Sequence, residues 1–279
     1  MTNRKTLTGF QLKYIALGAM LLDHIHYFFE YTGKVPLWFT QVGRIAAPLF
    51  LFAIIEGFIH THDRKKYFLK IYGLAVIMGL IQFGFYNVLH PLVRGDGFFP
   101  KNMMLSSFAI LLVALQGIAW IEEKRYLRGI PTLLFPIILP FLFMPFYRLF
   151  MASDNDLGMF VVNLLNFTVL PLHFSIMDGG TATLIVGIAM YLCRKTIKRE
   201  VIAFVIISLI IDLGRVWLSG VPLTFHGLFF SYFEWLEIFA APLMLMYNGK
   251  RGKGNKYLFY AFYPLHIYLL YTLSVLLYR

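Results

Sequence analysis

Apolar runs, separated by short polar and often basic segments, divide the chain. Runs fall at 10–29, 42–60, 67–89, 103–121, 129–147, 181–193, 201–218, 228–247 and 257–278. A helix needs about 20 apolar residues to cross a bilayer, and the length and composition of most of these runs predict membrane-spanning helices. Four prolines (Pro131, Pro136, Pro140, Pro145) in the fifth run predict kinks, with neighbouring groups completing its hydrogen bonds. A tenth segment, 157–174, is apolar but holds Asn163, Asn166, Pro171 and His173, with Asp154 and Asp156 placed to cap it.

Lysine and arginine decide whether that segment crosses. If it does not, nine spans start from a cytoplasmic N-terminus. The inner side then collects the basic residues of 1–13, which include Arg4 and Lys5, and those of 64–70, 124–128, 194–199 and 250–256. These are eighteen of the 25 Lys and Arg. If it does cross, the last two basic loops move outside and the asymmetry vanishes. The expectation is therefore an all-α polytopic integral membrane protein of about nine transmembrane helices plus one re-entrant or surface helix, with ten spans as the alternative. No internal repeat or linker divides it, so residues 1–279 read as a single domain in the inner (cytoplasmic) membrane.

Composition agrees. Hydrophobic residues make up 59% of the chain and charged residues 14%, against about a quarter in soluble domains. Mean hydropathy is +0.70. Positive-inside loops account for the net charge of +11, so no nucleic-acid partner is expected. With Cys193 the one cysteine, neither a disulfide framework nor a cysteine metal site can form.

The ionisable residues inside the apolar runs carry the candidate chemistry. Asp23, His24 and His26 sit deep in the first run, where each costs several kcal/mol unless it pairs or faces a polar cavity. Asp23 and His24 point about 100° apart on a helix, so no simple relay joins them. Asp23 is placed to pair with Arg44 or to orient His26, and His24 faces elsewhere. The nine-span topology brings Asp23, His24, Arg44, Asp212, Arg215, Glu234 and Glu237 to one depth, as structural ion pairs or as a functional cluster. Glu56 and His60 share a helix face. The HTHD stretch (60–63) has incomplete metal-ligand spacing, and no metal is expected. The cations Arg64, Lys65 and Lys66 that follow form either an ordinary basic loop or a phosphate-binding edge. Tyr263 and His266 flank Pro264 in the last run. GKRGKGNK (249–256) lacks the phosphate-loop pattern.

The stretches LTGFQLKYIAL…MLLDHI (7–25), VGRIAAPLFLFAIIEGFIHTHDRKKYFLK (42–70) and KYLFYAFYPLHIYLL (256–270) resemble the TraX family. Residues 105–245 match it more loosely, and Gly179 stands where the family's DYG-type start has an aromatic. The resemblance implies an enzyme similar to acetyltransferases of pilin N-termini and to transmembrane acyl-CoA acyltransferases such as acyltransferase family 3. It implies acetyl-CoA as donor and a first-span histidine, matched by His24, as the key catalytic residue. Arg44, Glu56, His60, Arg64, Lys65, Lys66, Tyr263 and His266 stand in its motif blocks.

The resulting expectation is a membrane acetyltransferase. His24 is the base, with Asp23 and Arg44 beside it. Arg64, Lys65, Lys66, His60, Glu56, Tyr263 and His266 are donor-binding candidates. The acceptor is a peptide N-terminus or a cell-envelope molecule in contact with membrane lipid. A proton- or ion-coupled transporter, using Asp23, His24, Asp212 and Glu234 as a relay, is the alternative, and a non-catalytic conjugation-related scaffold is a third reading.

Overall fold

A computed structural model describes residues 6–87, 89, 92–153 and 156–278. Arg4, Lys5 and Asp154 lie outside the described residues. Among the described residues the regular structure is helical, with one isolated bridge between Leu7 and Tyr247. The helices are α1 (Gly9–Phe29), α2 (Trp38–Gly43), α3 (Ala46–His60), α4 (Arg64–Asn87), α5 (Met104–Glu122), α6 (Tyr126–Ala152), α7 (Asp156–Phe167), α8 (Gly180–Leu192), α9 (Ile197–Ser219), α10 (Ala241–Leu245) and α11 (Lys256–Leu277). Six are long and apolar enough to cross a membrane, α2 and α3 counting together as Trp38–His60, with α4, α5, α6, α9 and α11.

The nine predicted spans are not all reached by that criterion, for local reasons. Lys13, Asp23, His24 and His26 lower the hydropathy of α1. α8 has 13 residues, too few to cross alone. The run 228–247 is not one helix: a π turn at Gly227–Ser231 and a 3₁₀ segment at Glu234–Ala240 precede the short α10, whose Pro242 sits at its start. α7 covers 12 residues, about 18 Å of helix. Asp156 lies in its first turn rather than ahead of it. α6 runs through all four of its prolines as one element of 27 residues, rather than ending at a kink.

The chain forms two compact units. In the first, residues 1–59 and 185–277, α1 packs on α2 and α11, and α9 packs on the 3₁₀ segment and α10. Thr8 opens α1 with a reciprocal capping box: its hydroxyl accepts from the Gln11 amide, and its own amide donates to the Gln11 side chain. Thr196 caps α9 through the Arg199 amide. Leu12, Phe28, Leu49, Phe52, Phe58, Phe204 and Met244 are almost fully buried. Phe52 meets Tyr247 edge-on at 5.4 Å. Three contacts show that α1 and α11 run parallel, because the residue numbers rise together: Tyr14 with Phe259, His24 with His266 and Phe28 with Tyr271, a course that Tyr31, just past α1, continues with Ser274.

In the second unit, residues 60–184 with the C-terminal end, α5 is the most buried helix and lies against α4 and α6. α6 exposes Phe141, Leu142, Phe146 and Leu149, a face suited to lipid. Gly179 has φ +96°, and a side chain there would press on Thr183. Any residue with a side chain would therefore be strained at this position.

Candidate functional site

Pro48 explains why α2 and α3 are separate elements. It lacks the N–H that would bond to the Arg44 carbonyl, so the α-helical hydrogen-bond ladder is interrupted at Arg44 although the backbone there stays helical. Gly43, one residue earlier, lies against α1: a Cβ there would sit 2.4 Å from that of Asp23. Only glycine allows this approach, and it places the Asp23 carboxylate among the side chains of α2. Thr40 donates its hydroxyl hydrogen to Asp23 Oδ1 at 2.6 Å, and Arg44 Nη2 donates to the same oxygen. Arg44 also donates from Nη1 to Glu234 Oε2 (2.8 Å), from Nε to the Thr40 carbonyl (3.2 Å) and from Nη2 to Thr40 Oγ1 (2.8 Å). A guanidinium has five N–H donors, so four of them are committed.

The cluster extends along α9. Asp212, buried on that helix, lies 3.6 Å from Arg215 and within electrostatic reach of Glu234. Glu237 faces Ser208. Four carboxylates and two guanidiniums thus share one region of the first unit. Asp212 Oδ2 is buried without a hydrogen-bond partner among the described residues.

The other pole is histidine. His24 Nδ1 lies 2.6 Å from His266 Nε2, and both side chains are buried. The ring centroids are 4.8 Å apart and the planes 14° apart. At that N–N distance the rings meet edge to edge, as a hydrogen bond requires, not one over the other. His266 Nδ1 lies 2.7 Å from the carbonyl oxygen of Phe262, one turn back on α11. A carbonyl only accepts, so Nδ1 of His266 carries the proton and its Nε2 is the acceptor. His24 must then donate from Nδ1, which leaves its basic lone pair on Nε2. Asp23 is engaged elsewhere. The first-span carboxylate and imidazole serve different partners, as their 100° separation dictates.

The remaining candidates divide between the units. Glu56, in the first, accepts a hydrogen bond from Tyr247, with Glu200 alongside. Glu200 is almost fully buried and its Oε1 has no partner among the described residues. Tyr263 packs beside His266 at 6.0 Å. His60, Arg64, Lys65 and Lys66 belong to the second unit. The basic triplet is the first turn of α4, not a loop. Asp63 caps that helix by accepting from the Lys66 amide at 2.9 Å, and this bond holds its carboxyl below the ordinary carboxylate range. Arg64 lies 4.0 Å from Glu123 and Lys66 3.3 Å from Asp63. Thr61, His62, Asp63, Arg64 and Glu123 line a cleft of about 530 Å³. Among the described residues no three His, Cys, Asp or Glu side chains gather as metal ligands.

Thr40, Gly43 and Glu200 escaped the sequence reading. Only Glu200 carried a signal, a carboxylate at the start of an apolar run.

Residues 8–274 match the family described as TraX protein. The chain is 28% identical over 284 residues to a protein of Dichelobacter nodosus described as probable fimbrial assembly protein FimC, serogroup H1, with 97% of each chain covered. It is 30% identical over 126 residues to Protein TraX of Escherichia coli, with 44% of each covered. No solved structure matches.

Proposed function

The chain belongs to the TraX family and is a multi-pass membrane protein, and from that premise we propose that it is an acetyltransferase, moving an acetyl group from acetyl-CoA to an amine or hydroxyl acceptor at or across the membrane. The single observation that carries this reading is the His24–His266 pair. His266 fixes the His24 tautomer and ring orientation, as the carboxylate of a catalytic triad does for its histidine. The His24 Nε2 lone pair takes the proton from the attacking N–H or O–H as the acceptor bonds to the thioester carbonyl carbon. The C–S bond then breaks, and CoA leaves as the thiol with that proton. Asp23 and Arg44 act as a clasp that holds this part of α1 against α2. Fimbrial assembly, as the D. nodosus relative is described, supports a fimbrial or pilin-type peptide as acceptor.

The nine-span topology belongs to the same proposal, with the N-terminus cytoplasmic and the inner membrane as its site. The parallel course of α1 and α11 supports it. If both cross, the total number of crossings is odd, which favours nine over ten. Single cysteines at positions 195 and 253, in a Cys193→Ser background, are expected to resist an impermeant thiol reagent in intact cells. Labelling of both from outside would exclude this topology.

A second reading, ion-coupled transport, is favoured by the buried carboxylates Asp212 and Glu200, each with an oxygen that has no hydrogen-bond partner among the described residues. One assay separates the two. Protein reconstituted in membranes is given labelled acetyl-CoA and a peptide with a free N-terminal amine. Label is expected in the peptide, with free CoA thiol appearing in step. Proton uptake without thiol release would reverse the assignment.

A further inference from the structure

The acetyltransferase reading needs a site for the phosphates of CoA, and the following rests on that reading. The triplet Arg64–Lys66 is already partly matched by Glu123 and Asp63. Another pair of cations is not. Lys13 of α1 and Arg251 of the 248–255 loop both face the ring of Phe10, with Nζ at 5.8 Å and the guanidinium carbon at 5.5 Å from its centroid. They repel each other, and among the described residues neither has a carboxylate within ion-pair reach. The loop that carries Arg251 is anchored: its Lys250 and Arg251 carbonyls accept from the amides of Gly9 and Phe10, two donors that the start of α1 would otherwise leave orphaned. Around the cations stand Phe10, Tyr14 and Phe259, with Tyr14 to Phe259 at 5.1 Å and Tyr14 partly exposed. Lys250 and Lys253 add exposed positive charge on the same loop.

The pair is also placed for the chemistry. Lys13 and His24 are eleven residues apart, three turns along one face of α1 and about 16 Å in length. Met20, Phe262 and Tyr263 line the seam of α1 and α11 between them. A thin, extended pantetheine arm spans such a distance.

We propose that Lys13 and Arg251 bind the phosphate end of acyl-CoA, Tyr14 stacks on its base, and the acyl arm runs along the α1–α11 seam to His24. A phosphate between the two cations relieves their repulsion and forms charge-assisted hydrogen bonds to both. Stacking of a base on an aromatic face adds affinity. The anionic headgroup of a lipid has the same phosphate chemistry, so the test separates the two.

Full-length protein in nanodiscs of phosphatidylcholine is titrated with CoA and with 4′-phosphopantetheine, and its binding of added phosphatidylglycerol is measured in parallel. Lys13→Gln/Arg251→Gln is expected to weaken CoA binding by roughly tenfold or more and to narrow the preference for CoA over the truncated ligand. The triple change of Arg64, Lys65 and Lys66 to Gln is expected to alter it by less than about twofold. Arg251→Gln alone, an exposed side chain on a loop, keeps the test valid if the double variant unfolds. Unchanged CoA affinity in a folded variant overturns the placement and leaves the acetyltransferase reading standing. Loss confined to binding of phosphatidylglycerol assigns the pair to lipid and overturns it too. Wild-type protein that binds no CoA sinks both.

Discussion

A His24→Ala protein is expected to keep its fold and its affinity for acetyl-CoA while transferring the acetyl group roughly 10²–10⁴-fold more slowly, the usual contribution of general acid–base catalysis. The expectation follows from the proton inventory of the pair. The Phe262 carbonyl fixes the proton of His266 on Nδ1, and His266 Nε2 accepts from His24 Nδ1, so the base is Nε2 of His24. His266 is then a positioning residue, and its variants read differently. His266→Gln retains a side-chain carbonyl that can accept from His24 Nδ1, so it should preserve more of kcat than His266→Ala, with KM for acetyl-CoA similar in both. A purely structural His266 would predict no such rescue. The measurement is single-turnover transfer from labelled acetyl-CoA, with donor binding followed separately. A His24→Ala protein that binds donor and transfers near the native rate would refute the mechanism and move the search to His26 or His266.

How much of this was legible in the sequence depended on the range of the interaction. Asp23 and Arg44 could be matched because both interrupt apolar runs, where a charge without a partner is expensive, and helix geometry had already excluded His24 as the partner of Asp23. His24 and His266 could each be picked out, but not joined: they lie 242 residues apart, and the parallel course of α1 and α11 leaves no trace in hydrophobic periodicity. Glu234 was expected level with Arg44 and does reach it, yet its role as the second anchor of Arg44 depends on the bend in 228–247. Hydropathy measures the length of that run, not whether its backbone is α, π or 3₁₀. The basic triplet was misread as a loop although its signal was present, since Asp63 is a residue that caps helices and Arg64–Lys66 are its first turn. Lys13 passed as one more inner cation, because its partner ring and the neighbouring Arg251 come together only when the loop folds back on α1.

The second large effect is expected at Arg44, on stability before chemistry. Arg44→Met should cost about 3 kcal/mol, the lower end of the range for breaking a buried ion pair, because Glu234 stays partly exposed and solvent screens it. The loss is asymmetric. Without Arg44, Asp23 and Glu234 both lose their cation, with Asp212 adding a third negative charge nearby. Asp23→Asn removes one charge and leaves Arg44 paired with Glu234, so it should cost much less. The double variant Asp23→Asn/Arg44→Met should be no less stable than Arg44→Met alone, because the first change removes a charge that the second strands. Unfolding in a fixed detergent or lipid mixture, measured for both single variants and the double, tests the cycle. Equal costs for the two single changes, or strict additivity, would show that Arg44 is not the keystone of the cluster. In that case its remaining N–H would be the feature to examine as a donor to the developing oxyanion, and the Arg44→Met loss would appear in kcat instead of in stability.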